Sequence, residues 1–160
     1  MSRASVLRYR VARWLGRFTT RLAALLTLGE MPPFVSTSAL IVDGQRLLVV
    51  VDAIRGEPVL PGGHLKWAEK PASALVREVR EETGFVVAPH ALVGVFAGKQ
   101  WAGEAGVVRV VFEASVTGGA IASSSEGEAT WMSLGDFVAS DTRDAPVVRG
   151  WLEGRAAWWD

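Results

Sequence analysis

Residues 63–85, GHLKWAEKPASALVREVREETGF, place four glutamates, two arginines and two glycines around one predicted helix. Pro71 suits the first turn of a helix, where a missing amide costs nothing, and Gly84 suits a helix end because glycine tolerates the left-handed conformation. Together they predict a helix from Pro71 to about Thr83. On a helical wheel this segment has an acidic face beside an apolar face. The acidic face contains Glu78, Glu81 and Glu82, and the apolar face contains Ala72, Leu75, Val76 and Val79.

The acidic face indicates a cation site. Carboxylates three and four residues apart repel one another, and the repulsion grows if they are desolvated beside a core. Oxygen ligands favour Mg²⁺, with Mn²⁺ as the alternative. Arg77 is close enough to hold a carboxylate by charge-assisted hydrogen bonds, so we interpret it as an orienting residue. Glu69 can cap free helix amides or join the metal site, and Gly62 and Gly63 let backbone carbonyls approach a ligand. The alternative interpretation of these charged residues is a solvated, salt-bridged helix face without a metal.

The spacing in this stretch also fits the pattern G-x5-E-x7-R-E-U-x-E-E-x-G-U, where U is apolar. Its fixed positions are Gly63, Glu69, Arg77, Glu78, Val79, Glu81, Glu82, Gly84 and Phe85. This pattern is the Nudix box, so the chain resembles the Nudix hydrolases. The resemblance implies an α/β fold, a Nudix-type α/β/α sandwich with a mixed β-sheet. It also implies Mg²⁺-dependent hydrolysis of a diphosphate linkage in a nucleoside diphosphate joined to another group.

The resemblance also assigns roles by position. The implied metal ligands are Gly63, through its carbonyl, Glu78, Glu81 and Glu82. Glu78 is in addition a candidate general base, and Arg77 is the residue that orients the carboxylates. Some family members take a further catalytic acid from a late loop. Glu126 is the first candidate for that role and Glu128 the second, and ordinary loop surface is the alternative for both.

The implied partner is a small-molecule nucleotide derivative, and no specific nucleic acid is expected. Trp101, in the polar loop 98–106, is a candidate for stacking on a nucleobase, although packing explains it equally well. Glu69 is a second candidate for substrate binding. Features typical of the ADP-ribose and dinucleoside polyphosphate subgroups are missing near Trp101, so the sequence does not choose the substrate. The competing function is a non-catalytic nucleotide-sensing or membrane-surface binding module, against which the intact glutamates count.

The flanking sequence predicts an α/β domain with a mixed sheet, because strand-like runs surround one long central helix. The predicted strands are 36–42 and 46–51, joined by a hairpin turn at 43–45, then 59–60 leading into a glycine turn at 61–63, and later 92–96, 107–116 and 129–133. The predicted later helices are 134–139 and 146–158.

The sequence predicts that residues 1–30 form a basic amphipathic helical appendage to a hydrolase domain that spans residues 34–160. Six arginines and no acidic residue precede Gly29, which leaves 11 of the 17 basic residues against all 17 acidic residues for the rest of the chain. The apolar stripe of residues 5–28 is too interrupted to span a bilayer. Three alternatives stay open: packing on the domain or on a second subunit in a homodimer, lying on an anionic membrane surface, or serving as a cleaved presequence.

The chain has no cysteine. This excludes a disulfide framework, a thiolate metal site and a cysteine nucleophile. Any metal must therefore be held by oxygen or by His64 and His90. We expect a cytoplasmic protein, with peripheral membrane association if the N-terminal helix binds lipid.

Overall fold

The computed structural model describes residues 33–98, residues 106–154 and the backbone of residues 157 and 158. The predicted N-terminal helix and Trp101 both lie outside these residues. Within them, no helix is long and apolar enough to cross a membrane.

The first sheet has five strands and is mixed, as the sequence predicts. Its second strand is β1 (Phe34–Leu40), which pairs antiparallel with β5 (Gly62–His64) and parallel with β7 (Val107–Gly119). On the other side of β7 lies β6 (Phe85–Ala97), which is antiparallel to it. The far edge of β6 carries the short parallel strand β9 (Ala157–Trp158).

The second sheet has four strands and is antiparallel. Its central strand is β3 (Arg46–Asp52), which pairs with β2 (Val42–Asp43), β4 (Pro58–Val59) and β8 (Gly127–Ser133). The four residues from Leu47 to Val50 are all buried, so this strand is covered on both faces.

Helix α1 (Pro71–Thr83) has the predicted ends. Pro71 occupies its first turn, and Gly84 stops it with a φ of 76° and an amide that donates to the Arg80 carbonyl. Its apolar face packs against a core that draws residues from both sheets. That core contains Ala39, Ile41, Leu48, Leu75, Val79, Val87 and Ala114.

Two shorter helices, α2 (Leu134–Ala139) and α3 (Ala145–Leu152), pack against a second core. Ser133 caps α2 by accepting a hydrogen bond from the Asp136 amide. The second core contains Leu40, Leu47, Val49, Leu60, Phe96, Val111, Leu134, Phe137, Val147 and Val148. Because the consecutive residues Ala39 and Leu40 of β1 enter different cores, the helices lie on opposite sides of the sheets, as in the predicted sandwich.

The predicted first strand was wrong in one respect. The run 36–42 is divided at Ile41 between β1 and β2, which belong to different sheets. The hairpin turn at Gly44 and Gln45 is present, but it joins β2 to β3. Continuous burial from Ser36 to Ile41 hides the division from a hydrophobicity pattern.

Two other predictions need correction. The predicted glycine turn is strand β5, in which Gly62 and Gly63 pair with β1. The predicted last helix ends at Leu152, because Gly154 takes a φ of 64°, and Trp158 belongs to β9 instead. The apolar pattern continued past the helix because β9 returns to the sheet.

Candidate active site

Glu82 is the buried member of the acidic face of α1. It is 9% exposed, and its Oε2 accepts a hydrogen bond from the Gly62 amide at 2.8 Å. Burial, followed by the negative charges of Glu126, Glu78 and Glu81, raises the pKa of Glu82 to about 8 against the opposing effect of the Gly62 hydrogen bond. Glu82 is therefore mostly protonated at neutral pH in the metal-free chain.

Arg77 connects three other carboxylates. Its Nε and Nη2 donate to the two oxygens of Glu69 at 2.9 and 2.7 Å, and its Nη1 donates to Glu78 Oε1 at 2.6 Å. A longer bond of 3.4 Å reaches Glu81 Oε2. The Glu69 and Glu78 hydrogen bonds raise the pKa of Arg77, so its charge is permanent. The bidentate pair leaves Arg77 little freedom, and Arg77 in turn fixes the position of Glu78.

Glu69 does not cap the helix. Lys70 is the N-cap residue of α1, and no side chain accepts its free amides there. The Glu69 carboxylate is engaged by Arg77 and by the Lys66 amide, whose bond to Oε2 is 2.8 Å. The hydrogen bonds from Arg77, followed by that from Lys66, lower the pKa of Glu69 to about 2. Both oxygens of Glu69 are thus engaged by Arg77. The contact of Glu69 with substrate stays a prediction.

Gly63 lies directly against Glu78. A Cβ atom on Gly63 would stand 2.5 Å from the carboxyl carbon of Glu78 and 2.7 Å from both of its oxygens. Such a contact is impossible without movement, so glycine is required here for close approach. The neighbouring His64 contributes through its backbone, because its carbonyl accepts from Arg77 Nη2 at 3.2 Å. The sequence carries no signal for that contact.

Glu126 joins this group from the loop before β8. Among the charged neighbours that raise the pKa of Glu82, Glu126 has the largest effect, so its charge lies close to the buried carboxyl. Its backbone is fixed by two hydrogen bonds, one to Ser124 Oγ and one from the Ala53 amide. The second candidate, Glu128, is an exposed residue within β8, where it pairs with Val51.

The carboxylates do not form a ready metal cage. Within residues 33–98 and 106–154, no three histidine, aspartate or glutamate side chains are gathered as a metal-binding group. The Gly62 amide occupies one oxygen of Glu82, and Arg77 Nη1 occupies one oxygen of Glu78.

The donor chemistry nevertheless fits a hard divalent cation. Glu82 is buried near Glu78, Glu81 and Glu126, and burial together with their negative charges favours its protonated form. A cation bound here would displace that proton and relieve the repulsion between the four carboxyl groups. All of these donors are oxygen atoms, which is the ligand set that Mg²⁺ and Mn²⁺ prefer.

Comparisons with known proteins identify the family of this chain. The family model for the NUDIX domain matches residues 32–153. A MutT-like protein of Streptomyces ambofaciens is 38% identical over 122 residues, which cover 74% of this chain and 76% of that protein. An ADP-ribose pyrophosphatase of Methanocaldococcus jannaschii is 30% identical over 90 residues, or 54% of this chain and 53% of that protein.

A solved structure supports the fold. The crystal structure of the MutT protein from Methanosarcina mazei Go1 superposes with a TM-score of 0.66 at 25% identity. The superposition covers 78% of this chain and 96% of that one. The two chains therefore share the arrangement of sheets and helices that positions the acidic face of α1.

Proposed function

The chain belongs to the NUDIX domain family, and from that premise we propose that it cleaves the diphosphate linkage of a nucleotide derivative with the help of Mg²⁺ or Mn²⁺. Membership makes it a hydrolase that acts on phosphoric anhydrides. The names of its relatives, MutT-like protein and ADP-ribose pyrophosphatase, support a nucleotide substrate that carries a diphosphate.

The observation that carries the proposal is the buried Glu82 carboxyl, which accepts a hydrogen bond from the Gly62 amide and whose pKa is raised by burial and by the charges of Glu126, Glu78 and Glu81. We assign Glu78, Glu81 and Glu82, with the Gly63 carbonyl, to cation binding. When bound, a divalent cation supplies positive charge that neutralises the diphosphate and lowers the pKa of a coordinated water.

The chain's own residues have distinct tasks. Arg77 holds Glu78 in position and is itself held by Glu69. A carboxylate, Glu126 or Glu78, accepts the proton of the attacking water. The water oxygen forms a bond to phosphorus, and the bond from that phosphorus to the bridging oxygen breaks, which leaves two phosphate-bearing or nucleotide products.

The test is a panel of nucleoside triphosphates, ADP-ribose, nucleotide sugars and dinucleotides incubated with Mg²⁺ or Mn²⁺. We expect turnover of at least one compound, and its loss in Glu81→Gln and in Glu82→Gln. Glu57→Gln, which removes an exposed carboxylate on another loop, should keep it. Unchanged activity in both site variants would overturn the cation assignment. Nucleotide binding without turnover under any divalent cation would favour the non-catalytic sensing module instead.

A further inference from the structure

Asp144 is a buried carboxylate outside the acidic face of α1. It is fully buried and stands at the N-cap position of α3, but its side chain does not accept a hydrogen bond from the first turn of that helix. An N-cap aspartate usually does so. Instead, Oδ2 accepts from the Leu60 amide at 2.8 Å, 84 residues earlier in the chain, and Oδ1 accepts from Arg109 Nη1.

Leu60 lies where the backbone passes from one sheet to the other. Strand β4 ends at Val59 and β5 begins at Gly62, and the Leu60 amide donates to Asp144 between them. The next two residues are fixed as well. The Pro61 carbonyl accepts from the Ala39 amide at 2.8 Å, and the Gly62 amide donates to Glu82 Oε2 at 2.8 Å. Asp144 thus holds the first residue of a three-residue segment whose last residue binds Glu82.

Fold stability alone explains the Arg109–Asp144 pair poorly. Arg109 is 4% exposed. Its Nη1 is paired with Asp144, whereas its Nε and Nη2 are buried without a hydrogen-bond partner among the described residues. Unpaired buried donors on a charged group cost free energy, and well-packed apolar residues often replace a buried ion pair without loss of stability.

We propose that Asp144 is a positioning residue for the active site. Its carboxylate fixes the Leu60 backbone, which sets the position of Gly62 against Glu82 and of Gly63 against Glu78, and Arg109 directs the carboxylate toward Leu60. The inference rests on the proposed function for its activity readout. Misplacement of a reacting group by about 1 Å is enough to lower a rate by about 100-fold.

The experiment uses two double variants that differ in one hydrogen-bond acceptor. Arg109→Met with Asp144→Asn keeps a side-chain oxygen for the Leu60 amide, whereas Arg109→Met with Asp144→Leu has a side chain of similar size and no acceptor. Neither variant leaves a buried charge, so both should fold. A further control is Trp151→Phe, which removes the bond from Trp151 Nε1 to Glu113 that fastens the other end of α3.

We expect kcat of the leucine variant to be about 10- to 100-fold below that of the asparagine variant, with KM changed by less than about threefold. The divalent cation concentration that gives half-maximal activity should rise in the same variant. Trp151→Phe should leave kcat unchanged. Equal kcat values in the two double variants, or an equal loss in Trp151→Phe, would overturn the proposal.

A second readout does not need turnover. In the metal-free protein, hydrogen exchange at the Leu60 and Gly62 amides should be faster in the leucine variant than in the asparagine variant by about tenfold or more, while exchange at the Val111 amide in the core strand β7 stays the same. If the two variants exchanged at the same rate at the Leu60 and Gly62 amides as well as at the Val111 amide, the proposal would also be overturned. If the wild-type protein hydrolyses no compound of the panel, the proposed function fails, and this exchange comparison still decides the role of Asp144.

Discussion

Replacing Glu82 by glutamine should stabilise the metal-free protein at neutral pH while abolishing hydrolysis. The folded chain raises the pKa of this carboxyl to about 8 because it is buried beside other carboxylates. Glutamine has nearly the same shape and is neutral at every pH. Its side-chain oxygen can accept the hydrogen bond that the Gly62 amide donates to Glu82. The variant therefore keeps the packing and removes the cost of ionisation.

The size of the effect follows from the two protonation states. Below pH 4.5, the ordinary pKa of this carboxyl, the folded and unfolded chains both carry the proton, and the ionisation of Glu82 does not affect stability. Above it, the unfolded chain releases the proton while the folded chain retains it, so stability falls by about 1.4 kcal/mol per pH unit until about pH 8. The loss is about 3 kcal/mol at pH 7 and about 5 kcal/mol above pH 8.

Equilibrium denaturation in urea with EDTA, from pH 4 to pH 8.5, measures this difference. The free energy of unfolding of Glu82→Gln should equal that of the wild type near pH 4 and exceed it by about 3 kcal/mol at pH 7. The control is Glu81→Gln, whose side chain is 57% exposed and which should change stability by less than about 0.5 kcal/mol. Added Mg²⁺ should stabilise the wild type and leave Glu82→Gln nearly unchanged. If the difference in the free energy of unfolding between wild type and Glu82→Gln did not vary with pH, burial would not raise the pKa of Glu82 as described.

Three further predictions concern the same site and the N-terminal segment. Gly63→Ala should lower kcat by about 100-fold with little change in melting temperature, because its Cβ would displace the Glu78 carboxylate; steady-state kinetics and thermal denaturation measure the two effects. Glu126→Gln should lower kcat by about 100-fold or more, whereas Glu128→Gln should not; equal kcat values would remove Glu126 from catalysis. If residues 1–30 lie on an anionic membrane, the full-length protein should co-sediment with anionic vesicles in a salt-sensitive way and the protein without residues 1–30 should not; a full-length protein that does not co-sediment would exclude the membrane hypothesis.

Local signals made α1 predictable from the sequence. Pro71 and Gly84 mark its two ends through properties of single residues, and helical spacing alone places Glu78, Glu81 and Glu82 on one face. The prediction that Arg77 holds a carboxylate also depends only on neighbouring positions, and the structure contains that bond to Glu78.

Contacts between distant residues could not be predicted in the same way. The bidentate pair of Glu69 with Arg77 depends on how the loop before α1 returns to the helix. The hydrogen bond from the Leu60 amide to Asp144 spans 84 residues. In the sequence, Asp144 looks like an ordinary N-cap aspartate. The end of α3 was missed because Trp158 continues an apolar pattern that serves a strand.

Hydrolysis in ¹⁸O-labelled water, followed by ³¹P NMR of the products, tests directly whether a cation-dependent site adds water to phosphorus. With Mg²⁺, one phosphate product of a diphosphate-containing nucleotide should gain a single ¹⁸O atom, and EDTA or Glu82→Gln should prevent this. Incorporation of ¹⁸O that persists in EDTA or in Glu82→Gln would contradict the claim that the carboxylates of α1 form a cation-dependent hydrolytic site.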